Sequence, residues 1–208
     1  MKTIILSALA LIFSACLIPA SGGNNGPNKS QTLFGSDIRH GGWGGMHYGM
    51  IFVHGNPELL RGVRGAWVIN FHPEHAVNIG FGNYRTATNF EPVEWEFEDI
   101  DEPELRLRNR GLEIEYVNQT LNLFHFSGHI TLGSGTVRYN NPDETLVKTR
   151  DSYFSIQPVA SVNMNVTSWF RLNLSAGYHY AGNVNLHGTG RTDLSGFVSF
   201  VGLKFGSF

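Results

Sequence analysis

The chain has almost no cysteine: of its 208 residues only Cys16 carries a thiol, close to the N-terminus. One sulfur can build neither an intrachain disulfide nor a thiolate zinc site. Charge is scarce too. Asp, Glu, Lys and Arg make up 15% of the residues, and a net charge of −2 leaves no basic footprint for nucleic acid. Past the start of the chain no apolar run approaches the length of a membrane-crossing helix, so entry into a bilayer would have to be by strands. Nothing in the sequence calls for a cofactor. What is plentiful is glycine, at 25 residues, and aromatic side chains, at 12% with 15 Phe.

The first twenty residues read as an export signal. Lys2 supplies the positive end, and "IILSALALIF" (Ile4 to Phe13) is an apolar stretch too short to span a bilayer as a helix. Two cleavage readings compete. One cuts after Ala20 in "LIPASGG"; the other treats "IFSAC" as a lipoprotein box, with Cys16 as the lipidated residue. Residues 21–42 then form a flexible segment rich in Gly, Asn and Ser, and residues 43–208 form the folded domain.

Within that domain hydropathy alternates with period two. In "WFRLNLSAGYHY", Phe170, Leu172, Leu174, Ala176, Tyr178 and Tyr180 share one face, while Arg171, Asn173, Ser175 and His179 share the other. "SYFSIQPVASVNMNV" repeats the pattern. Weaker versions predict eight strands, at Trp43–His54, Arg61–His72, Ala76–Arg85, Leu105–Val117, Phe124–Gly135, Asp151–Val166, Trp169–Gly182 and Asp193–Phe208. Each is long enough to cross a bilayer at a tilt. The links alternate between short ("HPEH", "NQTLNL", "VTSW") and longer on average, the habit of outer-membrane barrels, with "GNPELL" as the weak member.

A soluble sandwich or lipocalin-like barrel would alternate in the same way with its apolar face inward. Two features favour the inverted arrangement. The polar faces are rich in Ser, Asn, Gln, Gly and His, which suit a narrow bore. Aromatics (Trp43, Tyr48, Trp67, Phe71, Tyr116, Phe124, Trp169, Phe170 and Tyr180) gather near strand ends, as girdles do. The expected fold is therefore all-β: an eight-stranded antiparallel up-and-down transmembrane β-barrel.

On "RGAWVINFHPEHAVNIGFGNY", "SYFSIQPVASVNMNVTSWFRLNLSAGYHY" and the ending "LSGFVSFVGLKFGSF", the chain from Trp43 to Phe208 resembles the small eight-stranded bacterial outer-membrane barrels of the OmpA/OmpX-like class. The resemblance implies a monomer in the cell outer membrane. Its partners would be membrane lipids and the outer-membrane assembly machinery, with Phe208 as the assembly signal. One departure concerns register. Counting back from Phe208 by twos gives Gly206, Lys204 and Gly202, whereas Phe205, Leu203, Val201 and Phe197 lie in the opposite phase. Either a bulge resets the strand or Phe208 is not seated on the lipid face.

The inward set carries charges of both signs: Arg64 and Arg171 against Glu113 and Glu115, with Lys204 if its phase is inward and His179 among the polar lining. A charge in a narrow bore needs a partner, so these residues are expected to form an interior polar network that plugs the barrel, with a gated ion path as the less favoured alternative. His125 and His129 share a strand face but lie about 13 Å apart at roughly 3.3 Å per residue, and His72 with His75 and Glu74 lacks a further ligand. No metal is expected. His125 and Ser127, with a downstream carboxylate such as Glu144, distantly resemble the His-x-Ser of outer-membrane lipid A deacylases, although the residues after Ser127 depart from that family. They are the only catalytic candidates. Eight acidic residues between Glu91 and Glu104 predict an extended, hydrated loop that could gather divalent cations, bind a basic partner or simply repel. Arg106, Arg108 and Arg110 after it could meet lipopolysaccharide phosphates, and none of these readings outweighs a solvated surface loop.

The function expected is that of an outer-membrane barrel with a plugged polar interior and displayed loops, serving the envelope or surface interactions without catalysis. The alternatives are a soluble exported barrel for a lipophilic ligand and, third, an outer-membrane lipid-modifying enzyme.

Overall fold

The computed structural model describes residues 38–53, 55–89, 104–139, 149–186, 189 and 194–208. Residues 1–37, which include Cys16 and the expected export signal, Glu144 and the acidic run from Glu91 to Glu102 lie outside the described residues. Eight strands follow one another: β1 (Arg39–Val53), β2 (Asn56–His72), β3 (His75–Thr86), β4 (Leu105–Asn118), β5 (Phe124–Tyr139), β6 (Arg150–Asn165), β7 (Phe170–Gly182) and β8 (Gly196–Ser207). Each pairs antiparallel with its sequence neighbours, and β1 pairs with β8, so the sheet closes into an up-and-down barrel. No helix of the described residues is long and apolar enough to cross a membrane.

The alternation in sequence becomes an inside and an outside. On β7, Leu174, Tyr178 and Tyr180 are exposed, while Asn173, Ser175 and His179 are buried. On β8, Phe197, Val201 and Phe205 point out while Val198, Phe200 and Lys204 point in. A soluble lipophile-binding barrel needs the apolar set inside; here that set is outside. The register of β8 against β1 and β7 runs without a break, so no bulge resets the phase. Phe208 accordingly stays on the inward phase, half-buried at the lower rim beneath the guanidinium of Arg171, 3.9 Å from the ring centroid.

Several boundaries differ from the sequence reading: β5 runs on from Gly135 to Tyr139, β8 begins at Gly196 rather than Asp193, and the starts of β1 and β2 move for local reasons. β1 begins at Arg39 rather than Trp43, because "RHGG" continues the pairing as far as Asn70 on β2. The expected "GNPELL" loop is instead the start of β2: Pro57 lies opposite Phe52 at the strand's first turn, where a missing N–H is tolerated. What remains of the link is a tight hairpin in which Gly55 takes φ 84, a value glycine adopts without steric cost. Pro158 sits mid-strand in β6, and the β6–β7 pairing is interrupted between Ile156–Tyr180 and Val159–Gly177, as expected where a ladder donor is lacking.

The bore is filled in three layers. The upper layer, at the end with the longer links, is an apolar core of Ile51, Val53, Leu60, Tyr84, Leu105, Leu107, Val137, Tyr139, Tyr153, Val198, Phe200 and neighbours. The lower mouth is closed by Trp43, Val68, Ala76 and Val117, with Phe208 packed against them. A charged and hydrogen-bonded layer lies between. Inward glycines make room for the larger rings. A Cβ on Gly202 would run into the His47 ring, and one on Gly135 into the ring of Tyr153.

Candidate functional site: the polar layer of the bore

β2 and β4 place the first ion pair. Arg64 Nε donates to Glu113 Oε2 at 2.6 Å, and both side chains are almost wholly shielded. The other carboxylate oxygen, Oε1, accepts from Tyr84 Oη at 3.1 Å and from Thr131 Oγ1 at 3.1 Å. Glu113 thus meets three donors from three strands, which is what a buried carboxylate requires to be tolerable.

Two residues further along β4, Glu115 repeats the arrangement with different partners. Lys204 Nζ donates to Oε1 at 3.0 Å and to Oε2 at 3.3 Å. Asn78 Nδ2 donates to Oε2 at 2.8 Å, and Ser127 Oγ donates to Oε1 at 2.8 Å. From there a chain of amides and hydroxyls runs round the inner wall from β5 through β6 to β7. Asn163 Nδ2 donates to Ser127 Oγ at 2.9 Å, Asn173 Nδ2 to Asn163 Oδ1 at 2.9 Å, and Ser161 Oγ to Ser175 Oγ at 3.0 Å.

The indole of Trp43 forms the floor of this layer. Lys204 Nζ lies 4.5 Å and the Arg64 guanidinium 5.4 Å from its centroid, a cation–π geometry for both interior cations. This corrects the sequence reading of Trp43 as a lipid-facing girdle residue: it is buried. The others of that set described as exposed, Tyr48, Trp67, Phe71, Tyr116, Phe124, Trp169 and Tyr180, do face outward. The signal for Trp43 was present in its phase, which it shares with His47, whereas Met46, Tyr48, Met50 and Phe52 occupy the other.

His179 faces the bore and pairs with Gln157 Oε1 at 3.1 Å, higher up and apart from the two carboxylates. Arg171 lies at the lower rim, where its Nη2 donates to the Thr120 carbonyl at 3.4 Å, and it joins neither ion pair. Tyr84, Asn78 and Thr131 went unremarked in the sequence, since a lone polar residue on an inward face reveals nothing of its partner across the barrel.

The two catalytic candidates are both buried in the bore. Ser127 Oγ is committed to Glu115, while His125 Nδ1 faces the Asn122 carbonyl at 3.3 Å. A serine nucleophile needs the base on its own hydroxyl; here the hydroxyl meets a salt-bridged carboxylate. At the lower turn, His72 and His75 have ring centroids 5.1 Å apart, but each Nδ1 is engaged, by the Glu74 amide and by Tyr116 Oη respectively. Among the described residues no group of three metal-ligating side chains comes together.

A closed eight-stranded barrel with its large apolar side chains outside and its ion pairs inside can be compared directly with solved structures. The crystal structure of Ail, the attachment invasion locus protein of Yersinia pestis, in complex with the heparin analogue sucrose octasulfate, matches 80% of this chain and 97% of its own at 16% identity and a TM-score of 0.52. The crystal structure of Neisserial surface protein A matches 81% of this chain and 97% of its own at 10% identity and a TM-score of 0.52. The fold is that of the small outer-membrane barrels. No protein-family model and no curated protein sequence matches. In an eight-stranded barrel side chains are enough to fill the bore, and the three layers here do so.

Proposed function

We propose that the chain is a monomeric outer-membrane barrel that is sealed along its axis and works through its surfaces, in envelope structure or in surface interactions, without catalysis. The observation that carries this reading is the stacking of an apolar core above, two ion pairs in the middle and a Trp43 floor below. A conducting pore needs a continuous wet path, and a surface enzyme needs a reactive group on an accessible face; the residues of the bore provide neither. The likeness to Ail, whose name is that of an attachment and invasion protein, agrees with a surface role. In this reading Phe208 is the residue that the assembly machinery recognises, and the inward set Arg64, Glu113, Glu115, Arg171 and His179 lines and stabilises the plug.

Planar-bilayer recording of the purified protein tests the seal. The expected trace stays at baseline, with no unitary steps, in the wild type. Reproducible ion-selective openings that vanish when Arg64 and Glu113 are both replaced would make the polar layer a gated path, and the reading would fail.

A further inference from the structure

The outer face of β4 changes character midway. Leu112, Ile114 and Tyr116 are exposed apolar residues, whereas Arg106, Arg108 and Arg110 occupy the same face one step higher. The inner face changes in the opposite sense, from Glu113 and Glu115 to Leu105 and Leu107. A strand that is greasy outside and polar inside, then polar outside and greasy inside, has left the lipid and entered water. The register shows this boundary to be shared. Phe81, Leu112 and Leu132 are paired neighbours on β3, β4 and β5, and directly above them come Asn83, Arg110 and Ser134.

Above that line the pairing assembles arginines. Arg61 lies opposite Arg85, and Arg85 opposite Arg108. One row higher, Arg106 lies opposite Arg138, and Arg138 opposite Arg150. With Arg110 this makes a continuous cationic panel across β2 to β6. No arginine or lysine occupies the corresponding outer faces of β7, β8 and β1, where Tyr178, Tyr180, Phe197, Tyr48 and Phe52 stand instead. Like charges directly opposed across strands are destabilising. Within the panel Arg108 Nε donates to Asn83 Oδ1 at 3.2 Å, and Arg106 Nε to Asn89 Oδ1. The panel surrounds a cleft of about 770 Å³ whose rim also includes Met46, Tyr48 and Val63.

We infer that this panel is a lateral binding site for the phosphate groups of a phosphorylated outer-leaflet glycolipid, lipopolysaccharide. The inference rests on the outer-membrane reading. Its placement favours a lipid: the arginines point sideways, immediately above apolar residues that would contact acyl chains. A dianionic phosphate between facing guanidinium forks converts each repulsive pair into bidentate, charge-assisted hydrogen bonds. The lipid would also bridge five strands at the level where the barrel leaves the membrane.

The test compares the full chain in detergent micelles with a triple variant, Arg85→Gln with Arg108→Gln and Arg138→Gln. Each is titrated with rough-type lipopolysaccharide and with the same lipid after dephosphorylation, and bound lipid is read by native mass spectrometry. The wild type is expected to prefer the phosphorylated lipid by about tenfold or more, the equivalent of one strong charge-assisted contact, and the triple variant to lose that preference. Arg39→Gln, at the opposite rim, should leave it intact. Equal binding of both lipids by the wild type, or an unchanged preference in the triple variant, overturns the inference. So does full competition by inorganic phosphate, which would indicate a small-anion site, or by a sulfated polysaccharide that binds through the same arginines in place of the lipid. A heat-dependent gel shift is recorded for every protein. Absence of the shift in the wild type refutes the outer-membrane reading itself, whereas a shift without phosphate preference refutes the panel alone. If the triple variant does not fold, Arg85→Gln and Arg108→Gln singly must each weaken the preference.

Discussion

Replacing Glu115 by Leu should lower the unfolding free energy by about 3–5 kcal/mol, the usual consequence of stranding one member of a buried ion pair. Lys204 Nζ would keep Asn163 Oδ1 at 3.4 Å as its remaining side-chain acceptor, and the donors of Asn78 and Ser127 would lose theirs. The double variant Glu115→Leu with Lys204→Met should recover most of the loss, because two apolar side chains of similar volume avoid the desolvation of both ions. Urea unfolding in lipid vesicles, followed by tryptophan fluorescence, measures this conveniently, since Trp43 lies 4.5 Å from Lys204 Nζ. A single variant within about 1 kcal/mol of the wild type would mean that water reaches the pair, and the sealed middle layer would not exist.

The second large effect belongs to the upper core. Phe200 is 3% exposed and its ring centroid lies 5.1 Å from that of Tyr84. Phe200→Ala should cost about 3–5 kcal/mol, the transfer term plus the cavity left in a closed bore. Phe197, three residues earlier on the same strand, is 70% exposed on the outer face. Phe197→Ala should cost less, about 1–2 kcal/mol, since it forfeits only the transfer of an outer-face ring out of water and leaves no cavity in the packed bore. The same chemical change at two nearby positions therefore separates inside from outside. Equal losses would show that both rings are packed in protein, as in a soluble barrel.

The fold was legible where each strand face had one character along its length. β7 is the clearest case: Leu174 and Tyr178 against Asn173 and Ser175 made the phase unmistakable, and the structure places them on opposite sides. Legibility failed where a strand crosses an environment boundary. In β4 the inward phase carries Leu105 and Leu107 as well as Glu113 and Glu115, so a single assignment of polar inside and apolar outside covers only half of the strand. The expected polar bore is accordingly polar only in its middle, and the apolar core above it was not foreseen. Trp43 was assigned by residue type, an aromatic near a strand end, when its shared phase with His47 was the better guide. Partner choice was hidden for a different reason: Arg64 with Glu113 and Lys204 with Glu115 are separated by 49 and 89 residues, and only the closed register brings them together.

That closed register, with its apolar rows outside, is the claim on which the rest stands, and a pair of adjacent cysteines tests it most directly. Leu174→Cys and Ser175→Cys are placed singly in the chain, folded in lipid vesicles, and treated with a membrane-soluble maleimide. The expected result is rapid modification at position 174, which is 61% exposed, and protection at position 175, which is 3% exposed. Protection at 174 together with reaction at 175 would turn the barrel right side out and contradict the account.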